Sequence, residues 1–427
     1  KPPHTCSIEA IEALAKVRGN TVGADYAEAF MLKRKVSQEG IAMNCPVCNY
    51  KKNTLLLKLN NFPIYQHPMS DTSNIPLPHA IDIEYSICKQ CAHAFQLNYN
   101  KDILEAIYKH HYYTPSPENI GASFRHDFIK FINKNNIIDE KTLNILEIGC
   151  SSGEVLAEIK SIYSNVEYHG IEPNEETAIA AEKKELIVEK AFFTEKIASS
   201  LCFQSDLIYS RHVIEHIFDF KGFFKAIAKI RHSTSTLILE TPSLDWSITQ
   251  PSTQAFHVEH IHVFSERSLV TLANQFGWFK DKSTVTASGN LIISFTNKEQ
   301  KSLLPLAPSD NGKLKQKIDN DIQALKSYCK DKEFIFWGAG TGAVTILALT
   351  GLKPLFVIDG NPNKTGKRFC GLNYTIKYSI DTINDLINKD LDKKLTIIIS
   401  SSFHDEIKHE LASLGWRGNI HAPYALK

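Results

Sequence analysis

Residues 143–154, with the sequence LNILEIGCSSGE, decide the fold of this chain. An apolar run ends at Gly149, a small-residue turn continues as far as Gly153, and apolar side chains with helical spacing follow. This pattern predicts a strand, a tight turn and a helix. Glycines in such a turn let the backbone approach a ligand closely, and the helix N-terminus offers unpaired N–H groups. We therefore expect a ligand-binding site at this turn.

A carboxylate follows the next predicted strand, roughly twenty residues along the chain. This second strand covers residues 166–170, and Glu172 lies just beyond it. A carboxylate at that place suits the two vicinal hydroxyls of a ribose. The turn lacks the G-x-G-x-x-G spacing that is typical of dinucleotide binding, and an ordinary βαβ crossover without any nucleotide is the alternative.

The glycine turn has the form E-x-G-x-x-x-G and resembles motif I of class I S-adenosylmethionine (SAM) methyltransferases. Three further segments occur in the order found in that family. They are a fourth predicted strand at 205–209, residues 211–216 (RHVIEH) and a fifth predicted strand at 237–242. The RHVIEH segment resembles the family's HVLEH stretch. The resemblance implies that the turn holds the methionine end of SAM and that the acid after the second strand holds the ribose. The cofactor-binding residues predicted in this way are Glu147, Gly149, Cys150, Gly153, Glu172 and Arg211.

Length and charge set limits on the function. The chain has 427 residues, enough for two or three domains with separate cores. Its 48 basic and 47 acidic residues leave no strong electrostatic field, so we expect neither a nucleic-acid partner nor a membrane partner. We find no apolar run of membrane-spanning length and expect no secretory signal. A cytoplasmic monomer or homodimer is the expectation.

Two C-x-x-C motifs predict a metal site. Two thiolates three positions apart can occupy adjacent corners of a tetrahedron around Zn²⁺, and two such motifs fill all four corners. No position is then open for substrate, so the zinc is expected to be structural, in a reducing compartment. The predicted ligands are Cys45, Cys48, Cys88 and Cys91. Three histidines of the same region are expected to be surface or packing residues instead: His67, His79 and His93.

The RHVIEH stretch ends in Glu215 and His216, a few residues after the fourth predicted strand. That position is the edge of the sheet where SAM would present its methyl group. A histidine can act there as a general base near neutral pH, and an adjacent carboxylate can raise its basicity or bind substrate hydroxyls. The pair occurs in methyltransferases of many substrates, so it does not by itself name the reaction.

Two other stretches are rich in imidazole and aromatic groups. Residues 110–115 (HHYYTP) could line a substrate pocket or form a packed turn, and both interpretations stay open. Residues 257–265 (HVEHIHVFS) carry three histidines. Metal binding is one interpretation of this second stretch, and a pocket-lining loop is the one we favour.

A second α/β unit is predicted from about residue 313 onward. A strand at 333–337 leads into GAGTG at 338–342, and a strand at 355–359 leads into GNPNKTGK at 360–367. This half-Rossmann pattern lacks a full NAD fingerprint. It favours binding of a nucleotide diphosphate, and a domain that merely packs is the alternative. The predicted nucleotide-binding residues are Gly338, Gly340, Thr341, Asp359 and Lys364.

The order of these parts resembles the nucleotide-sugar C-methyltransferases over residues 44–427. The resemblance implies structural zinc, SAM in the middle domain, and a dTDP-linked 4-keto sugar anchored by the C-terminal domain, with the active site between the last two domains. Val258 replaces the first histidine of the family's HEH-x-x-x-FS stretch. The implied base is His216, and the catalytic residues predicted with it are Glu215, Tyr112, Tyr113 and His260.

The sequence thus predicts an α/β protein built from a class I SAM-methyltransferase domain, a small zinc-binding module and a second Rossmann-like domain. The expected reaction is C3 methylation of a nucleotide-linked 4-keto-deoxysugar through an enolate. An O- or N-methyltransferase of a glycan or natural product, and a non-catalytic SAM-fold protein, are the alternatives. The predicted domains are a helical extension (1–43), the zinc module (44–98), a helical connector (99–140), the SAM domain (141–297) and the nucleotide domain (298–427).

Overall fold

The computed structural model describes residues 43–70, 78–110, 120–250, 252–253, 255–299, 304–308, 312–372, 374–401 and 403–423. Almost all of the predicted N-terminal extension lies outside the described residues, and so do Tyr112 and Tyr113. No helix in these described ranges is both long enough and apolar enough to cross a membrane.

Strands and helices alternate through most of the chain, as the predicted α/β class requires. The strands are β1 (Asn53–Pro63), β2 (Ala80–Cys88), β3 (Ala94–Gln96), β4 (Asn144–Ile148), β5 (Glu167–Ile171), β6 (Ile187–Glu189), β7 (Ser205–Arg211), β8 (Arg231–Pro242), β9 (His262–Val263), β10 (Phe279–Val285), β11 (Asn290–Thr296), β12 (Phe334–Trp337), β13 (Val357–Asp359), β14 (Ile376–Tyr378), β15 (Thr396–Ile399) and β16 (Asn419–His421). The α-helices are α1 (Lys101–His110), α2 (Ile120–Lys134), α3 (Glu154–Ile162), α4 (Glu175–Glu182), α5 (Glu195–Ser200), α6 (Phe220–Ile230), α7 (Leu244–Thr249), α8 (Glu266–Asn274), α9 (Lys313–Cys329), α10 (Thr341–Thr350), α11 (Ser379–Asn388) and α12 (His404–Leu414).

The central sheet has seven strands in the order β10-β11-β8-β7-β4-β5-β6. Strands β4 to β8 are parallel, and β11 runs antiparallel to both of its neighbours. The chain leaves β4 toward β5 on one side and later returns to β7 on the other side, so the switch point lies at the carboxyl end of β4. The predicted α/β class with a Rossmann-like sheet is therefore confirmed, and its ligand site is expected where the glycine turn begins.

The C-terminal sheet has five parallel strands in the order β14-β13-β12-β15-β16. Its first strand, β12, lies in the middle and again marks a switch point. The apolar residues of β12 and β15 are buried because α-helices cover this parallel sheet. In both α/β units, the first strand therefore lies inside the sheet, and later strands are added on both of its sides.

The third sheet belongs to the cysteine-rich region and has the order β1-β2-β3-β9. Strands β1 to β3 form an antiparallel meander, whereas β9 comes from the stretch that the sequence predicts to be a pocket-lining loop. Part of that loop is a strand because the edge of β3 offers unpaired backbone groups. The domain boundaries stay predictions. The boundary predicted at residue 98 separates β3 from β9 in the sequence, but the two strands pair in one sheet.

Apolar contacts connect the three sheets. One core contains Leu57 of β1, Phe256 of the histidine-rich loop and Val344 of α10. A backbone bridge joins Met69 and Arg368, whose N–H groups each donate to the other's carbonyl at 2.8 and 2.9 Å. The cysteine-rich module therefore contacts both α/β units.

Replacing Gly149 with alanine is expected to lower the free energy of unfolding by about 1–3 kcal/mol. Gly149 has a φ of +78°, and an added Cβ would lie 2.5 Å from Val213 Cγ2. Urea denaturation measures the effect. Gly360→Ala is the matched control, since its Cβ would meet only Ser379 Oγ, at 3.7 Å. Equal unfolding midpoints for the two variants would contradict this account.

Candidate active site

The glycine turn after β4 is fixed by hydrogen bonds to the end of β5. The Gly149 N–H donates to the Ile171 carbonyl at 2.8 Å, and the Cys150 N–H donates to the same oxygen at 3.2 Å. Gly149, Ser151 and Gly153 all have positive φ. A Cβ on Gly153 would lie 2.5 Å from Leu186 Cδ1, so the glycines are required by the protein's own packing as well as by any ligand.

Glu172 lies beside this turn and is completely buried. Its two carboxylate oxygens each accept a backbone N–H, from Ser151 and from Asn174, both at 2.8 Å. Burial raises the pKa of Glu172, and these hydrogen bonds oppose the increase. The amides thus hold the carboxylate at the carboxyl end of β5, the position predicted for binding ribose hydroxyls.

Glu147 lies next to the end of β4, and Arg211 is the last residue of β7. The Tyr209 hydroxyl donates to Glu147 Oε2 at 3.1 Å, and burial raises the pKa of Glu147 to about 8. Arg211 pairs with Glu240 at 2.5 Å and lies over the Phe128 ring. These contacts support strands β4, β7 and β8 from within, and the cofactor role of both residues stays a prediction.

Glu215 follows β7 in a short 3₁₀ turn, Ile214–His216, and is fully buried. The Thr241 hydroxyl donates to its Oε2 at 3.1 Å, and His212 Nδ1 lies 3.5 Å from its Oε1. Burial opposes ionisation of Glu215, but His212, His216 and His260 outweigh it and lower the pKa to about 2. A buried carboxylate among three imidazoles is therefore ionised at neutral pH.

The neighbouring His216 is held by the histidine-rich loop. Its Nδ1 lies 2.9 Å from the Glu259 carbonyl. A carbonyl oxygen only accepts hydrogen bonds, so Nδ1 carries the proton and Nε2 is the basic nitrogen of the neutral ring. Val213, three residues earlier, packs on Gly149. The structure therefore brings His216 and the glycine turn to the same edge of the sheet.

His260 packs edge-on against His216, with ring centroids 4.9 Å apart. Its Nδ1 lies 3.0 Å from the Ala255 carbonyl, and burial holds its pKa well below the usual value. The neutral ring thus offers Nε2 as an acceptor. Ligand atoms of Glu215, His216 and His260 lie within 4.8 Å of one another, so this group could also hold a metal ion.

Comparison with known proteins identifies this region. A family model described as "Methyltransferase domain" matches residues 121–281, which include the glycine turn, Glu172 and His216. This region is a methyltransferase domain. This domain supports a transferase of the EC 2.1.1 type. A search of curated protein sequences gives no match.

Solved structures give weaker similarities. SAM-dependent methyltransferases from Thermotoga maritima and Archaeoglobus fulgidus are 16% and 17% identical, with TM-scores of 0.30 and 0.31. They cover 41% and 40% of this chain, over 92% and 93% of their own lengths. One from Aquifex aeolicus is 13% identical, covers 40% of this chain and 88% of its own, and has a TM-score of 0.32. The fold assignment rests on the strand order described above rather than on these scores.

The four predicted zinc ligands come together in the methyltransferase's cysteine-rich module. The two C-x-x-C turns have the same geometry: Asn49 donates to the Cys45 carbonyl and Ala92 donates to the Cys88 carbonyl, both with positive φ. Sulfur–sulfur distances are 3.6 Å for Cys45–Cys91 and 3.5 Å for Cys48–Cys88. Tetrahedral Zn²⁺ with Zn–S bonds near ~2.3 Å requires separations of about 3.8 Å, so the cluster fits a zinc ion.

Several residues of this site were not assigned roles in the sequence analysis. His212 and Thr241 contact Glu215, and Glu240 pairs with Arg211. His212 lies inside the RHVIEH stretch, but its positive φ and its stacking on Phe124 have no sequence signature. The Tyr112 and Tyr113 assignments cannot be compared with this arrangement because both lie outside the described residues.

Cys91→Ser is expected to abolish zinc binding at the cysteine cluster, because serine is a poor ligand for Zn²⁺ beside three thiolates. Metal analysis of the purified protein should fall from about one zinc per chain to near zero. Cys202→Ser is the control, since Cys202 is exposed and outside the cluster. One zinc per chain in Cys91→Ser would contradict the expectation that all four thiolates are needed.

Glu172→Gln is expected to weaken SAM binding by about 10- to 100-fold, because an amide cannot accept from the Ser151 and Asn174 N–H groups and two ribose hydroxyls at once. Isothermal titration calorimetry measures the dissociation constant. Glu175→Gln is the matched control on the exposed first turn of α4. Equal affinities of the two variants would exclude Glu172 from the cofactor site.

Proposed function

We propose that this methyltransferase places a methyl group on C3 of a nucleotide-linked 4-keto-deoxysugar. The second candidate function is O- or N-methylation of a glycan or natural product by the same fold. The observation that carries the proposal is a second nucleotide-type turn in the C-terminal unit, which repeats the geometry of the SAM turn. This turn supports an acceptor that the protein binds through a nucleotide.

Three backbone N–H hydrogen bonds of the turn after β4 have counterparts in the turn after β12. The Gly338 N–H donates to the Ile358 carbonyl at 2.8 Å, as the Gly149 N–H does to Ile171. The carboxylate of Asp359 then accepts from the Ala339 N–H at 2.6 Å and from the Asn361 N–H at 2.8 Å. Glu172 accepts from Ser151 and Asn174 in the same manner. A carboxylate held in this way at a switch point is suited to bind a ribose.

The predicted nucleotide residues differ in how they support this turn. Gly340 has open space where a Cβ would be, so a ligand could approach its backbone, and Thr341 opens α10 beside it. Gly338 packs on Ser400 and Ser401. Lys364 pairs with Asp359 at 3.0 Å and supplies a cation for a phosphate.

A half-buried histidine, His67, lies near charged or titratable groups of both this turn and the histidine-rich loop. Burial, with smaller contributions from Lys364 and His257, lowers the pKa of His67 to about 3. Both the nucleotide turn and the histidine-rich loop are thus close enough to His67 to influence its charge. This supports an acceptor whose nucleotide binds the C-terminal unit while its sugar reaches His216.

The chemistry that we propose requires a base and correct alignment. Bound SAM would supply an electrophilic methyl group, which Glu172 and the glycine turn would orient. The 4-keto group makes the C3 proton acidic, and His216 Nε2 takes that proton. C3 of the resulting enolate would then bond to the methyl carbon while the methyl–sulfur bond breaks, and S-adenosylhomocysteine, a neutral thioether, would leave. Ionised Glu215 stabilises the imidazolium of His216 until the proton passes to water.

We also propose that the cysteine cluster holds a structural Zn²⁺. The four thiolates would complete a tetrahedron, so no position would remain for substrate or water. The hydrogen bond to Cys91 lowers the pKa of Cys45, whereas burial raises the pKa of Cys48, so a bound metal would itself have to favour the thiolate forms. The contribution of zinc would be to fold the module rather than to catalyse.

His216→Asn is expected to reduce methyl transfer by about 100-fold or more, because a general base typically contributes this much. The assay is mass spectrometry with methyl-labelled SAM and dTDP-, GDP- and CDP-linked 4-keto sugars. Exchange of the C3 proton with deuterated water reports the base step separately. His409→Asn, on the exposed face of α12, is the control.

Retention of both full methyl transfer and full C3 exchange in His216→Asn would overturn the assignment of the base. A methyl ether or methylamine product would favour the second candidate function. SAM binding without turnover across the whole panel would exclude nucleotide-linked 4-keto sugars as acceptors.

A further inference from the structure

We infer that Tyr85 and Gln96, on the sheet of the cysteine-rich module, are positioning residues that set the orientation and tautomer of His216. They act through the histidine-rich loop, residues 255–263. This inference rests on the proposed function of His216 as the base. The cysteine-rich module would then determine the chemistry of the methyltransferase site without contributing a catalytic group.

Tyr85 provides the first contact with the loop. It is completely buried, and its hydroxyl lies 2.8 Å from the His257 carbonyl and 2.6 Å from the His260 carbonyl. Its ring packs edge-on against Phe256, with centroids 5.0 Å apart. The single hydroxyl proton is donated to one of these two loop carbonyls at a time, while the ring supports the apolar start of the loop.

Gln96 provides the second contact. Its Nε2 lies 2.8 Å from the His257 carbonyl, 3.0 Å from that of Val258 and 3.1 Å from that of His260. Among the described residues, its buried Oε1 has no hydrogen-bond partner. A buried oxygen without a partner costs about 1–3 kcal/mol, so this amide is stabilised chiefly through its donor end.

Three carbonyls of the histidine-rich loop converge beside Tyr85 and Gln96, and they explain why hydrogen-bond donors are needed there. Residues 257, 258 and 260 turn their carbonyls toward one place, and buried carbonyls require hydrogen bonds. With these carbonyls held on one side, the intervening carbonyl of Glu259 accepts from His216 Nδ1 at 2.9 Å. The loop therefore presents to His216 the one acceptor that selects the Nδ1–H tautomer.

The cysteine cluster sets the position of both donors. Tyr85 and Gln96 are direct partners across strands β2 and β3. The turn between these strands is the second C-x-x-C motif, with Cys88 and Cys91 at its ends. Closing that turn on a metal would fix the register of the hairpin. The register in turn places the Tyr85 hydroxyl and the Gln96 amide beneath the loop.

A histidine pair holds the other end of the loop. His93 Nε2 lies 3.0 Å from His262 Nδ1, and His262 Nε2 lies 3.2 Å from the Ile217 carbonyl. Because the carbonyl can only accept, His262 carries its proton on Nε2, and His93 donates to His262. Ile217 follows His216 directly, so the module is connected to the base segment by a second route.

The experiment compares Tyr85→Phe and Gln96→Met, which remove the donors and keep most of the buried volume. Tyr163→Phe is the matched control, because it removes a hydroxyl bonded to Asn133 on the exposed side of the SAM domain. For each full-length protein we would measure zinc content, SAM affinity, kcat and KM. Long-range ¹⁵N–¹H spectra of histidine-labelled protein report the tautomer of His216, whose signals are assigned by their loss in His216→Asn.

We expect Tyr85→Phe and Gln96→Met to keep zinc, SAM affinity and KM within about twofold of wild type, while kcat falls by about 10-fold or more. The His216 signals should shift from the Nδ1–H pattern toward a mixture of tautomers. The control should match wild type in every measurement. Wild-type kcat together with an unchanged Nδ1–H pattern in both variants would overturn the inference.

The two proposals can fail separately. If the wild-type protein methylates none of the acceptors, the proposed function fails, but the spectra still decide whether Tyr85 and Gln96 set the tautomer. If Gln96→Met does not fold, Tyr85→Phe alone decides, since its ring packing on Phe256 is kept. A fall in kcat with an unchanged His216 tautomer would also overturn the inference.

Discussion

The backbone pairing of β3 with β9 is the interaction on which the rest of the site depends. It places two residues of the methyltransferase half, His262 and Val263, in the sheet of the cysteine-rich module. Without that pairing the histidine-rich loop would have no fixed end, and the carbonyl that orients His216 would have no fixed direction. The glycine turn is more self-contained, since its hydrogen bonds go to nearby segments of the same unit: the end of β5, Glu172 and Lys184. The part of the candidate site around His216 therefore depends on a long-range contact, and the part around the glycine turn on a local one.

This difference explains what could be predicted from the sequence. The turn at Gly149, the acid at Glu172 and the two C-x-x-C motifs depend on short spacings, so the sequence reveals them directly. The methyltransferase fold that they predict is confirmed. The conversion of His262 and Val263 into a strand could not be predicted, because its partner β3 lies far away in the sequence. For the same reason, the roles of Tyr85 and Gln96 have no sequence signature.

The two α/β units show how one arrangement of backbone groups can be used twice. In each unit the first strand ends in a glycine whose N–H binds the end of the second strand, and an acid next to that end accepts an amide from the turn. The acids differ in their surroundings, since Asp359 pairs with Lys364, whereas Glu172 accepts from the backbone amides of Ser151 and Asn174. A cation beside the carboxylate suits a ligand with phosphates, whereas SAM carries a sulfonium and no phosphate. The same geometry is therefore compatible with two different nucleosides in one chain.

The shared sheet of β3 and β9 also has a consequence for how such a protein can change in evolution. An exchange of the cysteine-rich module alone would remove the strand that β9 pairs with and the donors beneath the histidine-rich loop. An exchange of the methyltransferase half alone would leave β3 with an open edge. These two parts must be inherited together. The C-terminal unit is connected through the Met69–Arg368 bridge and apolar packing, which tolerate substitution more readily. Under the proposed function, acceptor preference is thus the property that recombination could alter while the methyl-transfer chemistry is retained.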